Sequence, residues 1–190
     1  MANSPMCHTC TPRLNSAVSM LMAFFCMLVL SACTPSIHDL VGNAPAEEVK
    51  TLLEKHPERV HDINPLGQGP LHYAVMYKRM DLMPLLLEKG ADIDLADNTG
   101  MTPLHVTALY GRREATRWLL DQGASLEALD MFGDTPVHTA AAFDQGGVLK
   151  VLIDAGAALD PKNKAGKTPL ELAQHYDRDR TAQYIQKLKS

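Results

Sequence analysis

Four prolines, Pro70, Pro103, Pro136 and Pro169, stand 33 residues apart, each at the same place in a short recurring phrase. The phrases read Gly69-Pro70-Leu71-His72, Thr102-Pro103-Leu104-His105, Thr135-Pro136-Val137-His138 and Thr168-Pro169-Leu170-Glu171. A fixed period of this length means that the chain is a stack of like supersecondary units, each hiding its apolar side against its neighbour, instead of a conventional globular domain. Other columns keep the same step. Gly67, Gly100, Gly133 and Gly166 stand three residues before each proline, where a tight hairpin-like turn calls for positive φ. Gly90, Gly123 and Gly156 follow apolar helical runs and fit the left-handed residue that ends a helix.

Two helical patterns lie between those glycines. Small residues recur at Ala74, Thr107, Ala140 and Ala173, with Ala108 and Ala141 beside two of them, and let the first helix of one unit approach the next closely. The second helix carries Leu82, Leu85 and Leu86, then Ala115, Trp118 and Leu119, then Val148, Val151 and Leu152. That i, i+3, i+4 spacing gives one buried stripe per helix. Each unit therefore reads as turn, short helix, loop, longer helix and glycine stop. Pro84 falls three residues after Asp81, which the pattern makes the N-cap, so this proline sits in a first turn where its missing N–H costs nothing.

The segment ahead of Pro70 is a worn copy. Val49, Leu52 and Leu53 align one period before Leu82, Leu85 and Leu86, while Pro57 occupies the slot of Gly90. A terminal unit has a neighbour on one side only, so such wear suits a cap. In the last copy Glu171 replaces the histidine, and Arg178, Asp179, Arg180, Gln183, Gln186, Lys187 and Lys189 make the final helix polar, as an outward-facing lid needs. Over about residues 36 to 190 these columns resemble the TPLH signature of ankyrin repeats. The resemblance implies an all-α solenoid of about five helix-turn-helix units, near 37–66, 67–98, 99–131, 132–164 and 165–190, with a divergent N-terminal cap and a polar C-terminal one.

Ahead of the repeats, residues 1–32 hold no acid and a single base, Arg13, followed by an apolar run from Ala17 to Leu30. The run is shorter than the ~20 residues that span a bilayer, which favours a cleaved signal peptide over a membrane helix. It ends in Leu30-Ser31-Ala32-Cys33, which resembles a bacterial lipobox; the resemblance implies that Cys33 is acylated and becomes the first mature residue. Residues 33–36 are then a short tether to the repeat domain over 37–190. In enteric-type sorting an Asp after the acylated cysteine favours the inner membrane, so Thr34 implies the periplasmic face of the outer membrane. Cys7, Cys10 and Cys26 fall in the removed segment, and Cys7-His8-Thr9-Cys10 reads as an accidental spacing without a second ligand pair for a metal. Taking the 32-residue leader from 190 residues leaves 158, enough for one elongated core without disulfides. Without Arg13 the chain has 17 bases against 22 acids, and nothing in that balance points to nucleic acid.

His72, His105 and His138 invite a metal or catalytic reading. Adjacent helices stand ~8–10 Å apart, too far for equivalent imidazoles to share a zinc that needs its nitrogens at ~2.0–2.1 Å. The family resemblance implies instead that each ring hydrogen-bonds its own turn and the neighbouring loop. His38, His56, His61 and His175 share no slot and read as exposed or cap residues. Asp144-Gln145-Gly146-Gly147 lacks the strand context of a phosphate loop and reads as a flexible loop with a weak helix start. No Ser/His/Asp or Cys/His grouping stands apart from the repeat columns. A protein without turnover, metal or cofactor is expected.

In ankyrin proteins, ligands meet the concave face made by turn tips and first helices, and the resemblance carries that role over slot by slot. The tips supply Pro65, Leu66 and Gln68; Asn98, Thr99 and Met101; Met131, Phe132 and Asp134; and Lys164, Ala165 and Lys167. The first helices end in Met76 and Tyr77, Leu109 and Tyr110, Ala142 and Phe143, and His175 and Tyr176. One column, Tyr77, Tyr110, Phe143 and Tyr176, takes four of the ten aromatics in the chain. Such rings either anchor a partner or pack between units. The expected contact set is Leu66, Gln68, Met76, Tyr77, Asn98, Thr99, Met101, Leu109, Tyr110, Met131, Phe132, Asp134, Phe143 and Tyr176, on a chain that is monomeric in isolation. The expected function is a protein-binding module tethered in the periplasm. An immunity factor that masks a toxin is its sharper form. A scaffold that stabilises a periplasmic enzyme is another, and an envelope hydrolase is the alternative from a different class.

Overall fold

Ten α-helices in five pairs carry the described residues, 35–189, of the computed structural model, and no strand occurs among them. The expected leader, Cys33 and Thr34 lie outside the described residues. The pairs are α1 (Ile37–Asn43) with α2 (Ala46–Lys55), α3 (Pro70–Met76) with α4 (Met83–Glu88), and α5 (Pro103–Tyr110) with α6 (Arg113–Asp121). They continue with α7 (Pro136–Ala142) and α8 (Gly146–Asp154), then α9 (Pro169–His175) and α10 (Asp179–Lys189). The first helices pack in sequence order, α1 on α3, α3 on α5, α5 on α7 and α7 on α9, while α6, α8 and α10 form a second row. The result is an all-α solenoid.

The packing follows from the sequence columns. The phrase proline opens each of α3, α5, α7 and α9, where its fixed φ suits the helix and its lost N–H was unpaired anyway. The inner first helices, α3, α5 and α7, have neighbours on both sides, so they bury nearly everything: α5 hides Pro103 through Ala108. Ala74, Ala140 and Ala173 have no exposed surface, and neither does Thr107. Second helices bury a single stripe, with Leu86, Leu119 and Leu152 wholly covered and Leu85 and Trp118 partly so.

Every turn is closed in one way. The Asp97 amide donates to the Met101 carbonyl (3.0 Å), and Asp97 Oδ1 accepts the amides of Thr99 (2.8 Å) and Met101 (3.0 Å). Asn64 repeats this arrangement one period before, and Asp130 and Asn163 one and two periods after. Gly100 sits at φ +80°, and a Cβ there would stand 2.8 Å from the Met131 amide nitrogen, so only glycine fits. Neighbouring tips are stitched by single backbone bonds: Asn98 N to Leu66 O (2.9 Å), Met131 N to Thr99 O (2.8 Å) and Lys164 N to Phe132 O (3.0 Å).

One local expectation changes. The N-cap of α4 is Leu82, not Asp81, because both Asp81 oxygens are held by the guanidinium of Arg79 (3.1 and 3.0 Å); Pro84 stays in the first turn. Asp144-Gln145-Gly146-Gly147 is a hydrogen-bonded turn that leads into the expected helix start. Asp144 takes a left-handed conformation (φ 56°), its carboxylate accepts the Thr181 hydroxyl (2.6 Å), and α8 begins at Gly146.

That turn belongs to a further column, Lys78, Gly111, Asp144 and Asp177, all with φ between 56° and 66°. A side chain pays about 1 kcal/mol for this conformation and glycine does not. Lys78 is exposed and has a β-carbon to lose. Lys78→Gly is therefore expected to raise stability by about 1 kcal/mol, read as a higher urea midpoint at unchanged slope; a lower midpoint would contradict the strain.

Candidate functional site

The face that a partner could use is pinned from within by buried histidines. His72, His105 and His138 have no exposed surface. His105 Nδ1 accepts the Thr102 amide (3.2 Å), and Nε2 lies 3.0 Å from the Asp134 carbonyl oxygen in the next turn. A carbonyl only accepts, so Nε2 carries the proton and the ring is neutral. His72 joins the Gly69 amide (3.3 Å) to the Met101 carbonyl (3.0 Å), and His138 joins the Thr135 amide (3.2 Å) to the Lys167 carbonyl (3.2 Å). Burial pushes His72 and His105 below the ordinary imidazole value, and the carbonyls of Met101 and Asp134 offset this only in part. In the fifth unit Glu171 stands in the histidine slot. Glu171 accepts the Thr168 amide (2.7 Å) and hydroxyl (3.0 Å) instead, and those bonds hold its carboxyl below the usual range.

His38 corrects an expectation. It is buried, 6% exposed, and its Nε2 lies 2.9 Å from the Gln68 carbonyl oxygen, so it clasps the first unit to the second. It stands 34 residues before His72, one off the period, which hid its kinship with the others. His56, His61 and His175 are exposed.

Arginines clip the opposite ends of the first helices. Arg79 Nη1 donates to the carbonyls of Val41 (2.9 Å) and Ala44 (2.8 Å), Arg112 Nη2 to Met76 (2.9 Å), and Arg178 Nε to Ala142 (3.0 Å). Gln145 replaces arginine in the fourth unit. Its side chain fills the space that a Cβ on Gly111 would take, 2.3 Å away.

Large apolar side chains remain uncovered on this scaffold. Phe132 is 61% and Met131 52% exposed, and the column Tyr77, Tyr110, Phe143 and Tyr176 lies between 43% and 51%. Two adjoining grooves share Phe132, Asp134, Leu172 and Tyr176. The first, about 370 Å³, is also walled by Met101, Leu109, Phe143 and Arg178. The second, about 420 Å³, adds Met131, Lys164, Lys167 and His175.

The expected contact residues therefore divide. Met101, Leu109, Met131, Phe132, Asp134, Phe143 and Tyr176 line the grooves. Leu66, Gln68, Met76, Tyr77, Asn98, Thr99 and Tyr110 lie outside them. Three of these make bonds or contacts within the scaffold: Asn98 Nδ2 donates to the Pro65 carbonyl of the preceding unit (3.0 Å), the Thr99 hydroxyl to Asp97 in its own turn (2.6 Å), and Tyr77 stacks on Tyr73 of the same unit with centroids 5.8 Å apart. Leu172 and Arg178 wall the grooves without having been expected there. Leu172 follows the Glu171 slot on α9, where only the slot itself drew notice, and Arg178 read as part of a polar lid.

Among the described residues no group of three His, Cys, Asp or Glu side chains is placed to hold a metal ion, and no helix is long and apolar enough to cross a membrane. The family model described as ankyrin repeats (3 copies) matches residues 37–130, and the one described as ankyrin repeat matches residues 132–164. No curated protein matches the chain.

Proposed function

Because the chain belongs to the ankyrin repeat family, whose stacked units act as protein–protein interaction modules, we propose that it binds a protein without turning it over, held by acylated Cys33 at the periplasmic face of a bacterial outer membrane. One observation carries the binding site: the paired grooves around Phe132 are open, the first mainly apolar and the second rimmed by Lys164, Lys167 and Asp134, on a face whose backbone is otherwise clasped. Exposed aromatics on a rigid support lose little entropy on binding, and the best of them supply ~2 kcal/mol or more each. The signal pattern supports the location, since several acyl chains at ~0.8 kcal/mol per buried CH₂ hold a protein firmly.

Affinity purification from cross-linked intact envelopes tests both halves. The wild-type chain should fractionate with membranes and retain one protein partner, and Cys33→Ser should move it to the soluble fraction. A wild-type chain already soluble would overturn the anchor. Two tasks suit a lipid-held grip, masking a toxin and stabilising a periplasmic enzyme. Deletion strains challenged by toxin-bearing neighbours separate them: lost survival assigns immunity, and unchanged survival with loss of a co-purifying enzyme assigns the scaffold.

A further inference from the structure

The turn of the first unit carries another apolar tip, which the grooves leave out. Ile63 and Leu66 are each 61% exposed, and Pro65 between them is exposed as well. Ile63 and Pro65 border a hollow of about 350 Å³ together with Ser36 and Asp39. Ser36 is the N-cap of α1, so the polypeptide enters the repeat domain beside this tip. Three residue steps separate Ser36 from Cys33, and even fully extended they reach only about 11 Å. A lipid on Cys33 therefore brings the bilayer surface to the foot of the tip.

We propose that Ile63, Pro65 and Leu66 seat in the bilayer interface next to the anchor, an inference that rests on the acylation of Cys33 proposed above. The occupant is lipid because the tip stands at the tethered end, away from the residues that wall the grooves. Its apolar side chains suit the boundary between headgroups and acyl chains. The neighbouring charge selects the lipid. Asp39 and Asp62 flank the hollow, Asp62 paired with Arg59 (3.1 Å), and residues 37–66 hold six acids against three bases, so the net negative charge of this unit favours a zwitterionic surface over an anionic one.

The test places Ile63→Cys in the full chain, whose mature form then has one free thiol, and labels it with an environment-sensitive fluorophore. Ala165→Cys, on the last tip, is the control. The processed protein is bound to vesicles of phosphatidylethanolamine and phosphatidylcholine that contain a brominated lipid. Emission at position 63 should shift to the blue and be quenched by about half or more, with position 165 unaffected, and added phosphatidylglycerol should weaken the quenching. An unquenched label at 63 on a chain that stays with the vesicles would overturn the seating and leave the anchor standing. A chain that does not stay with the vesicles would overturn the acylation and the seating together.

Discussion

Replacing His105 with alanine is expected to lower stability by about 3 kcal/mol. The ring is fully buried and bridges the Thr102 amide to the Asp134 carbonyl, so its loss strands a donor and an acceptor out of reach of water. Each stranded group costs roughly 1–3 kcal/mol, and the emptied ring volume adds to this. For a chain of this length the midpoint of thermal unfolding should fall by about 10 °C. Because His105 joins the third unit to the fourth, the transition should also broaden as the two halves of the stack uncouple. Circular dichroism melts read both effects, and an unchanged midpoint would contradict the clasp.

The same clasp predicts a pH dependence. Burial holds His72 and His105 below the value of a free imidazole, so the unfolded chain takes up protons first as the pH falls. Their contribution is complete above about pH 6.5 and is lost as the pH drops from there through the lower folded-state values. Urea midpoints should be lower at mildly acidic than at mildly alkaline pH, and His105→Ala should narrow the gap. The turn carboxylates respond later. Burial acts to raise Asp97, but the Thr99 hydroxyl, the amides of Thr99 and Met101, and Gln68 outweigh it and hold the group below its usual range. Its contribution is lost only as strong acid protonates it.

Phe132→Ser combined with Phe143→Ser should weaken partner capture by roughly a thousandfold, from ~2 kcal/mol per anchor. Both rings wall the first groove and are more than half exposed, at 61% and 51%. Their removal leaves the fold almost untouched, because the bonds that Phe132 makes to Asp130 and Lys164 run through its backbone. Exposed substitutions of this kind stay within about 0.5 kcal/mol each. Capture that survives in a stable double variant would place the binding surface elsewhere, and a large loss of stability would mean that the rings pack between units.

The fold was legible because one period runs through residues with different physical duties. Prolines mark helix starts, Gly100 and its equivalents the turns, and Ala74, Ala140 and Ala173 the close helix contacts. What escaped had the same physics under a different spelling. Asn64, Asp97, Asp130 and Asn163 keep the period, but two residue types share the slot because a turn needs only one side-chain oxygen. His38 performs the clasp from a position one residue out of step. Asp81 looked like a cap because its sequence neighbours fit, while Arg79 decides where its carboxylate goes. The site was legible only as a face. Where the grooves deepen depends on side-chain size across units that are distant in sequence, as with Leu109, Phe143 and Tyr176 around Phe132.

Hydrogen exchange of the chain with and without its captured partner tests the central claim most directly. Protection should appear at the turn around residues 131–134 and at the helix ends near Phe143 and Tyr176, with α4, α6 and α8 unchanged. Protection confined to those outer helices, with the grooves around Phe132 still exchanging freely, would contradict it.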